Sequence, residues 1–315
     1  MNNIIRFWNR NRGMIIFGVV AIAFLIIIVH ILNGFAKDKN KNKQQNIVVL
    51  TEEEKTLPTK SIYGEEDVTI EKTKDNVSVI NEFIEKCNNK QIQEAYDMLT
   101  DDCKTEIYDS LEYFETGYVN PIFETKKIAD IKLVGEKNKR YTYSVDIYTD
   151  MLSTGIADNA YEIKDYITVD ETSENGQINL NGFIYKTEIN STEEKDGVKI
   201  TVLSKSIYYE DEKYEVKIEN NTDKDILMNT GKRTNTITLI DNKGIVHDSD
   251  VSTFASVKYR IKANNYRKYT FTFKKYSTSN VLDKALIFAD IVLDAEKYEQ
   301  TEDSENERIN LTINI

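Results

Sequence analysis

The chain has 315 residues and a formal net charge of −12, from 53 Asp and Glu against 41 Lys and Arg. A body this acidic is repelled by nucleic acid and by anionic lipid, so no nucleic-acid partner is expected. Two Cys and two His are too few for a structural zinc site or a disulfide scaffold, and no cofactor loop is present, so no cofactor is expected.

Charge is unevenly spread. Residues 1–43 hold seven Lys and Arg and a single Asp, which leaves the remainder more acidic than the whole. Met14 to Leu32 is 19 residues without a formal charge. At 1.5 Å per residue that is roughly 28 Å, about the hydrocarbon thickness of a bilayer. The spacing predicts a single N-terminal transmembrane helix over 14–35, behind a cytoplasmic tail, 1–13. A cleaved signal is the alternative, because Gly34-Phe35-Ala36 has a small-x-small look, but secretory signals have shorter apolar centres, roughly 7–15 residues. His30 lies close enough to the helix end to snorkel to the interface. Arg6, Arg10 and Arg12 before the helix nearly balance Lys37, Lys39, Lys41 and Lys43 after it, so the positive-inside rule alone does not orient it. Residues 36–74 read as a polar linker with Pro58 at its middle, spanning roughly 35 Å as a flexible coil.

The period then becomes helical. Ile80, Phe83, Ile84 and Cys87 share a stripe, as do Ile92, Ala95, Tyr96 and Leu99. Cys103, Ile107, Leu111, Phe114 and Tyr118 form a third stripe ending at Pro121, with Thr100, Asp101 and Asp102 as its N-terminal signals. After Phe123 the period drops to two. Ile128 to Val134, Tyr141 to Ile147, Tyr161 to Val169, and Ile178 onward through Phe183 to Ile189 read as strands. Three helices followed by a curled antiparallel sheet predict an α+β cone-like domain over 75–190.

The stretch "VINEFIEKCNNKQIQEAYDMLTDDCKTEIYDSLEYF" resembles the opening of a nuclear-transport-factor-2-like domain. Its "A-Y-x-x-L" helix is similar to Gram-positive envelope versions of that family. The resemblance implies a cone of helices wrapped by a bent sheet, as in anchored scaffold subunits of conjugation and type IV secretion machines. Enzymes of that fold place Asp, His or Tyr in the cone, and residues 75–190 contain no His.

"NSTEEKDG", Asn190 to Gly197, is a polar separator, and from Gly197 the pattern is all β. Val198, Ile200 and Val202 alternate, as do Tyr214, Val216 and Ile218. "ITLIDNKGIV" is two strands about a turn, and further strands follow at Val257 to Ile261, Tyr269 to Phe273, Ala285 to Leu293 and Ile309 to Ile315. This predicts an all-β sandwich over 191–315. "Y-x-V-x-I-x-N-N-T" with "I-x-L-I-D-x-x-G" resembles immunoglobulin-like domains of uncharacterised Gram-positive envelope proteins, which implies a body outside the cell.

Candidate sites are few. Gly231-Lys232 is not a phosphate loop, since Ile226 and Arg233 stand where Gly and Ser or Thr are needed. His247, Asp248 and Asp250 fit no calcium or zinc spacing and read as a solvated loop. Asp294 to Glu307 reads as a charged loop. Cys87 and Cys103 either pack as small apolar side chains or form a disulfide. Phe83, Tyr96, Phe114, Tyr118, Tyr141, Tyr143 and Phe183 either fill the core or line a cone-shaped ligand pocket. No catalytic or metal residue is assigned.

The leading expectation is therefore a non-enzymatic, membrane-anchored, extracytoplasmic binding or scaffold protein. It would be single-pass in the cell membrane, with other envelope proteins as partners and an open oligomeric state. A conjugation or secretion assembly is what the resemblance implies. The rival is an envelope sensor or carrier using the aromatic cone. An enzyme ranks third, resting on lone carboxylates such as Asp146 and Asp165.

Overall fold

The computed structural model describes residues 70–155, 163–172, 176–230, 236–250, 259–274, 282–301 and 306–315. The first apolar stripe forms α1 (Ile70–Asn88), which buries Ile80, Phe83, Ile84 and Cys87. The second forms only two turns, α2 (Ile92–Asp97). The third stripe is not one helix. α3 (Asp101–Glu106) starts where Thr100 Oγ1 accepts from Cys103 N at 3.0 Å, and it stops when the Ile107 and Tyr108 amides both turn to the Cys103 carbonyl. Ser110 caps a new start, accepting from Tyr113 N at 3.2 Å, and α4 (Leu111–Phe114) runs on through a π-helical turn, Glu115–Val119, into a last turn, Asn120–Ile122. A second cap inside the stripe outweighs its period, because the cap satisfies amides that the broken helix leaves free.

These helices pack on a four-stranded antiparallel sheet in the order β1 (Lys127–Lys137), β2 (Arg140–Thr149), β3 (Ile163–Asp170), β4 (Gln177–Asn179). The link between α2 and α3 is pinned to the edge strand: Thr100 N donates to the Ile178 carbonyl at 3.1 Å and Ile178 N to the Met98 carbonyl at 2.9 Å. Ile131, Leu133, Tyr143, Val145, Ile147, Ile167 and Val169 from the sheet join the helix stripes in one apolar core.

The next strand, β5 (Phe183–Lys195), leaves that sheet. Its first residue, Phe183, is buried in the first core, and its length pairs with β6 (Val198–Tyr208). The polar separator Asn190 to Gly197 is thus strand as far as Lys195 and then a turn, its charged side chains lying in the open on a sheet edge. β6, β7 (Asp211–Asn220) and β12 (Asn265–Lys274) complete a sheet in the order β12-β7-β6-β5. A second sheet runs β10 (Val246–Asp248), β9 (Ile237–Asp241), β13 (Asp283–Val292), β8 (Ile226–Leu227), β11 (Arg260–Ile261), with β14 (Arg308–Asn314) also on β13. Val198, Ile200, Val216, Ile218 and Phe271 of one sheet share a core with Ile237, Leu239, Leu286, Phe288 and Leu311 of the other. Strand alternation explains this, since burial alternates along β6 and β7 and puts Val198, Ile200 and Val202, and Tyr214, Val216 and Ile218, on the inner face. The acidic stretch after β13 is partly helical: Asp294 accepts from Lys297 N at 2.9 Å and caps α5 (Ala295–Gln300). One further helical turn, Met151–Thr154, follows β2.

The expected fold class needs correction. Most of the described chain is strand, and no α+β cone is shown: β4 is three residues long, and β5 pairs away from the first sheet instead of extending it around the helices. No helix among the described residues is long and apolar enough to cross a membrane, so the membrane and single-pass expectations have no helix behind them there. The stretch 14–35, on which the transmembrane expectation fell, lies outside the described residues, as do the tail 1–13 and most of the linker 36–74.

Candidate functional site

Two neighbours on β3 face opposite ways, as strand geometry requires. Asp165 points into the first core and is 5% exposed, while Tyr166 is half-buried on the outer side. Asp165 Oδ2 accepts from the Tyr118 hydroxyl at 3.0 Å, a contact that the π-helical turn makes by carrying Tyr118 inward. Burial pushes the Asp165 carboxyl up to about 6, opposed by the Tyr118 hydroxyl and by the backbone N–H groups of Tyr166 and Asn181. Burial, with Asp165 next, raises the Tyr118 hydroxyl well above its usual range. Asn181 also donates from Nδ2 to the Tyr108 hydroxyl at 2.7 Å. The carboxyl and phenol are sealed beneath the surface, within the first core.

Above them lies a groove of about 430 Å³ lined by Tyr113, Tyr166, Tyr208 and Tyr209, with Asn181 in its floor and Asp211 in its wall. The Asn181-Gly182 turn builds it. Both residues have positive φ, 54° and 73°, the combination a tight Asn-Gly turn adopts. Gly182 N donates to the Tyr166 carbonyl at 2.8 Å, and the Gly182 carbonyl accepts from Tyr209 N at 2.7 Å. That clamp stacks the Tyr166 and Tyr209 rings with centroids 4.0 Å apart. Lys213 Nζ lies 3.8 Å from the Tyr208 ring centroid and Lys164 Nζ 5.5 Å from that of Tyr166. Tyr113 is 53% exposed, a large ring left open to solvent.

A broader cleft, about 1120 Å³, lies beside it and shares Glu210 and Asp211 with the groove. It is lined by Asp241, His247, Asp248 and Asp250. Asp241 accepts from the Lys243 and Ile245 amides, each at 2.8 Å, and its Oδ2 lies 3.2 Å from His247 Nε2. Among the described residues no three His, Cys, Asp or Glu side chains converge in a metal-binding set.

The aromatic set read from the sequence sits mainly in the first core. Phe83, Phe114, Tyr118, Tyr143 and Phe183 are buried, and Tyr96 and Tyr141 pack partly buried against them. Phe83, Tyr96, Phe114 and Tyr118 come together, with Phe114 and Tyr118 stacked at 5.9 Å, whereas Phe183 pairs with Tyr208 at 5.4 Å. Cys87 and Cys103 are free, buried thiols, each pushed up to about 12 by burial.

The groove tyrosines were not singled out by sequence reasoning. One signal for them existed. Tyr208 and Tyr209 are adjacent at the end of a strand, and adjacent strand residues face opposite sides, so two neighbouring aromatics put one ring away from the core.

No family model matches the chain, and no curated protein matches it. A solved structure, that of a functionally unknown protein from Listeria monocytogenes EGD-e, is similar at a TM-score of 0.28 and 12% identity, over 42% of this chain and 84% of that one. A likeness at that level bears on neither fold nor function.

Proposed function

We propose that this protein works by binding and not by catalysis, and that the tyrosine groove is where its ligand sits. The observation that carries the reading is the stacked, partly exposed tyrosine wall built by Tyr166 and Tyr209 on a tight turn. Rigid aromatic side chains give large contact area at low entropic cost, which is why they concentrate at binding surfaces. Asp165, a buried acid with a raised pKa, is sealed under the groove and bonded by three donors, which suits a structural role better than proton transfer. A partner among envelope proteins, outside the cell, belongs to the same proposal and rests on the sequence resemblance alone.

The test is peptide-display selection against the intact protein and against the Tyr166→Ala, Tyr209→Ala double variant. Peptides enriched on the first and lost on the second support the groove. The same peptides on both would place binding elsewhere. A turnover activity abolished by Asp165→Asn in the native fold would overturn the non-enzymatic part.

A further inference from the structure

The geometry points to a cationic side chain, Lys or Arg, on an extended segment of a partner protein as the occupant of the groove, its charge received by Asp211 and Glu210. This deepens the binding reading above and rests on it. Three observations carry it. The rings already accept ammonium groups from the chain itself, since Lys213 stands over Tyr208 and Lys164 over Tyr166. Asp211 lines the groove, and its Oδ1 is buried with no hydrogen-bond partner among the described residues. A buried acceptor without a donor is costly; a ligand N–H relieves it, and a charged one does so most strongly. Thirdly, Glu210 and Asp211 also wall the wider cleft, which carries Asp248 and Asp250. An extended basic segment leaving the groove would therefore meet further carboxylates.

Charge complementarity favours this occupant over a neutral or anionic one. The chain carries −12, and Glu106, the other acid of the groove, is already held by Lys186 and Ser206. Burial holds the Asp211 carboxyl above its usual range, opposed by the Lys213 ammonium and assisted by Glu210 and Glu212.

The experiment titrates the full chain with hexa-arginine and hexa-lysine, and with hexa-citrulline as an uncharged peptide of equal length, by calorimetry at fixed ionic strength. Asp211→Asn and Glu210→Gln are compared with Glu193→Gln and Glu194→Gln, which remove equal charge from exposed positions on β5. Glu210 is exposed, so its variant keeps the fold even if that of Asp211 does not. The groove variants are expected to weaken binding of the cationic peptides about tenfold, and the β5 variants to change it little. Equal losses from both sets would reduce the effect to net charge and overturn the assignment. Hexa-citrulline binding as tightly as hexa-arginine, with loss in Tyr209→Ala, would overturn the cationic ligand while leaving the groove as a binding site. No binding of any of the three peptides overturns the cationic ligand; the display selection then decides the groove separately.

Discussion

Glu106 and Ser206 stand 100 residues apart in the chain, yet Ser206 Oγ donates to Glu106 Oε2 at 3.1 Å. The Lys186 ammonium pairs with the other carboxylate oxygen. One carboxylate on α3 thus ties the helical layer to both β5 and β6 at the edge of the groove. Glu106→Ala is expected to cost about 1–2 kcal/mol, because the partners keep some access to water. Glu106→Gln should recover part of it by still accepting from Ser206. Urea titration of the three proteins checks this, and equal midpoints would mean that the tie contributes nothing.

Asp165 predicts a pH dependence of unusual sign. Its carboxyl titrates near 3.8 when free and near 6 in the fold. Below about pH 4 both states hold the proton and the group is neutral in the balance. Between pH 4 and 6 the folded state keeps a proton that the unfolded state has lost, so raising the pH removes stability. Above pH 6 the penalty is complete, on the order of 3 kcal/mol. Asp165→Asn should flatten that slope. Its amide cannot accept from all three donors, so its absolute stability falls and the slope is the test. Denaturation at pH 4, 5, 6 and 7 measures it. An unchanged slope in the variant would assign the effect to other groups.

The two thiols should be silent until the protein unfolds. Iodoacetamide at pH 7 is expected to leave the folded protein unlabelled, since both thiols are buried and protonated. Two thiols should titrate after unfolding without reductant, and reductant should not move the melting temperature. Cys103→Ala should cost about 1–2 kcal/mol through lost apolar contact, and Cys103→Ser more, because it buries a hydroxyl. An absence of titratable thiols would show a disulfide instead.

Two hairpin turns offer opposite substitutions. Asn138 and Lys139 join β1 to β2 with φ of 53° and 60°, a geometry that side chains resist. Lys139→Gly should stabilise by about 1 kcal/mol. At the β5–β6 turn, Gly197 has a φ of 77°, and a Cβ there would stand 2.9 Å from Thr222 Cγ2. Gly197→Ala should destabilise by about 1–3 kcal/mol. Thermal melts of both variants settle the signs.

Lys205 on β6 reaches Glu212 at 2.9 Å and also Asp283 on the facing sheet, where Tyr214 donates its hydroxyl to Asp283 Oδ2 at 2.7 Å. Burial lowers the Lys205 ammonium despite Glu212. Lys205→Ala should cost about 3–5 kcal/mol by leaving two carboxylates unmatched in a largely buried place. Lys205→Met with Glu212→Gln and Asp283→Asn should recover most of that. Failure of the triple variant to do so would mean that the lysine stem, not the charge, is what matters.

Much of the β pattern was legible because burial alternates with sequence. Val198, Ile200 and Val202 face the same core as Val216 and Ile218, and the periodicity says so. Short elements were not legible. β8 is two residues, held by neighbours distant in sequence, and α5 is a capped turn inside a charged run. The break after Glu106 was hidden by a stripe that continues through it, although Ser110 carried a capping signal. The groove was hidden for another reason. Tyr113, Tyr166, Tyr208 and Tyr209 come from three separate stretches of the chain, and only the turn at Gly182 brings three of them together. The aromatics that share a stripe are the ones that fill the core.

The strand Phe183–Lys195 begins in one core and ends on the edge of the other. A module that evolution can copy, move or lose needs a seam where the chain can be cut without exposing a core. Here a cut on the near side strips the first core of Phe183, and one on the far side takes the edge strand from the second. One strand thus serves as both the last wall of one core and the rim of the other, and a cut at either end costs one of them a part.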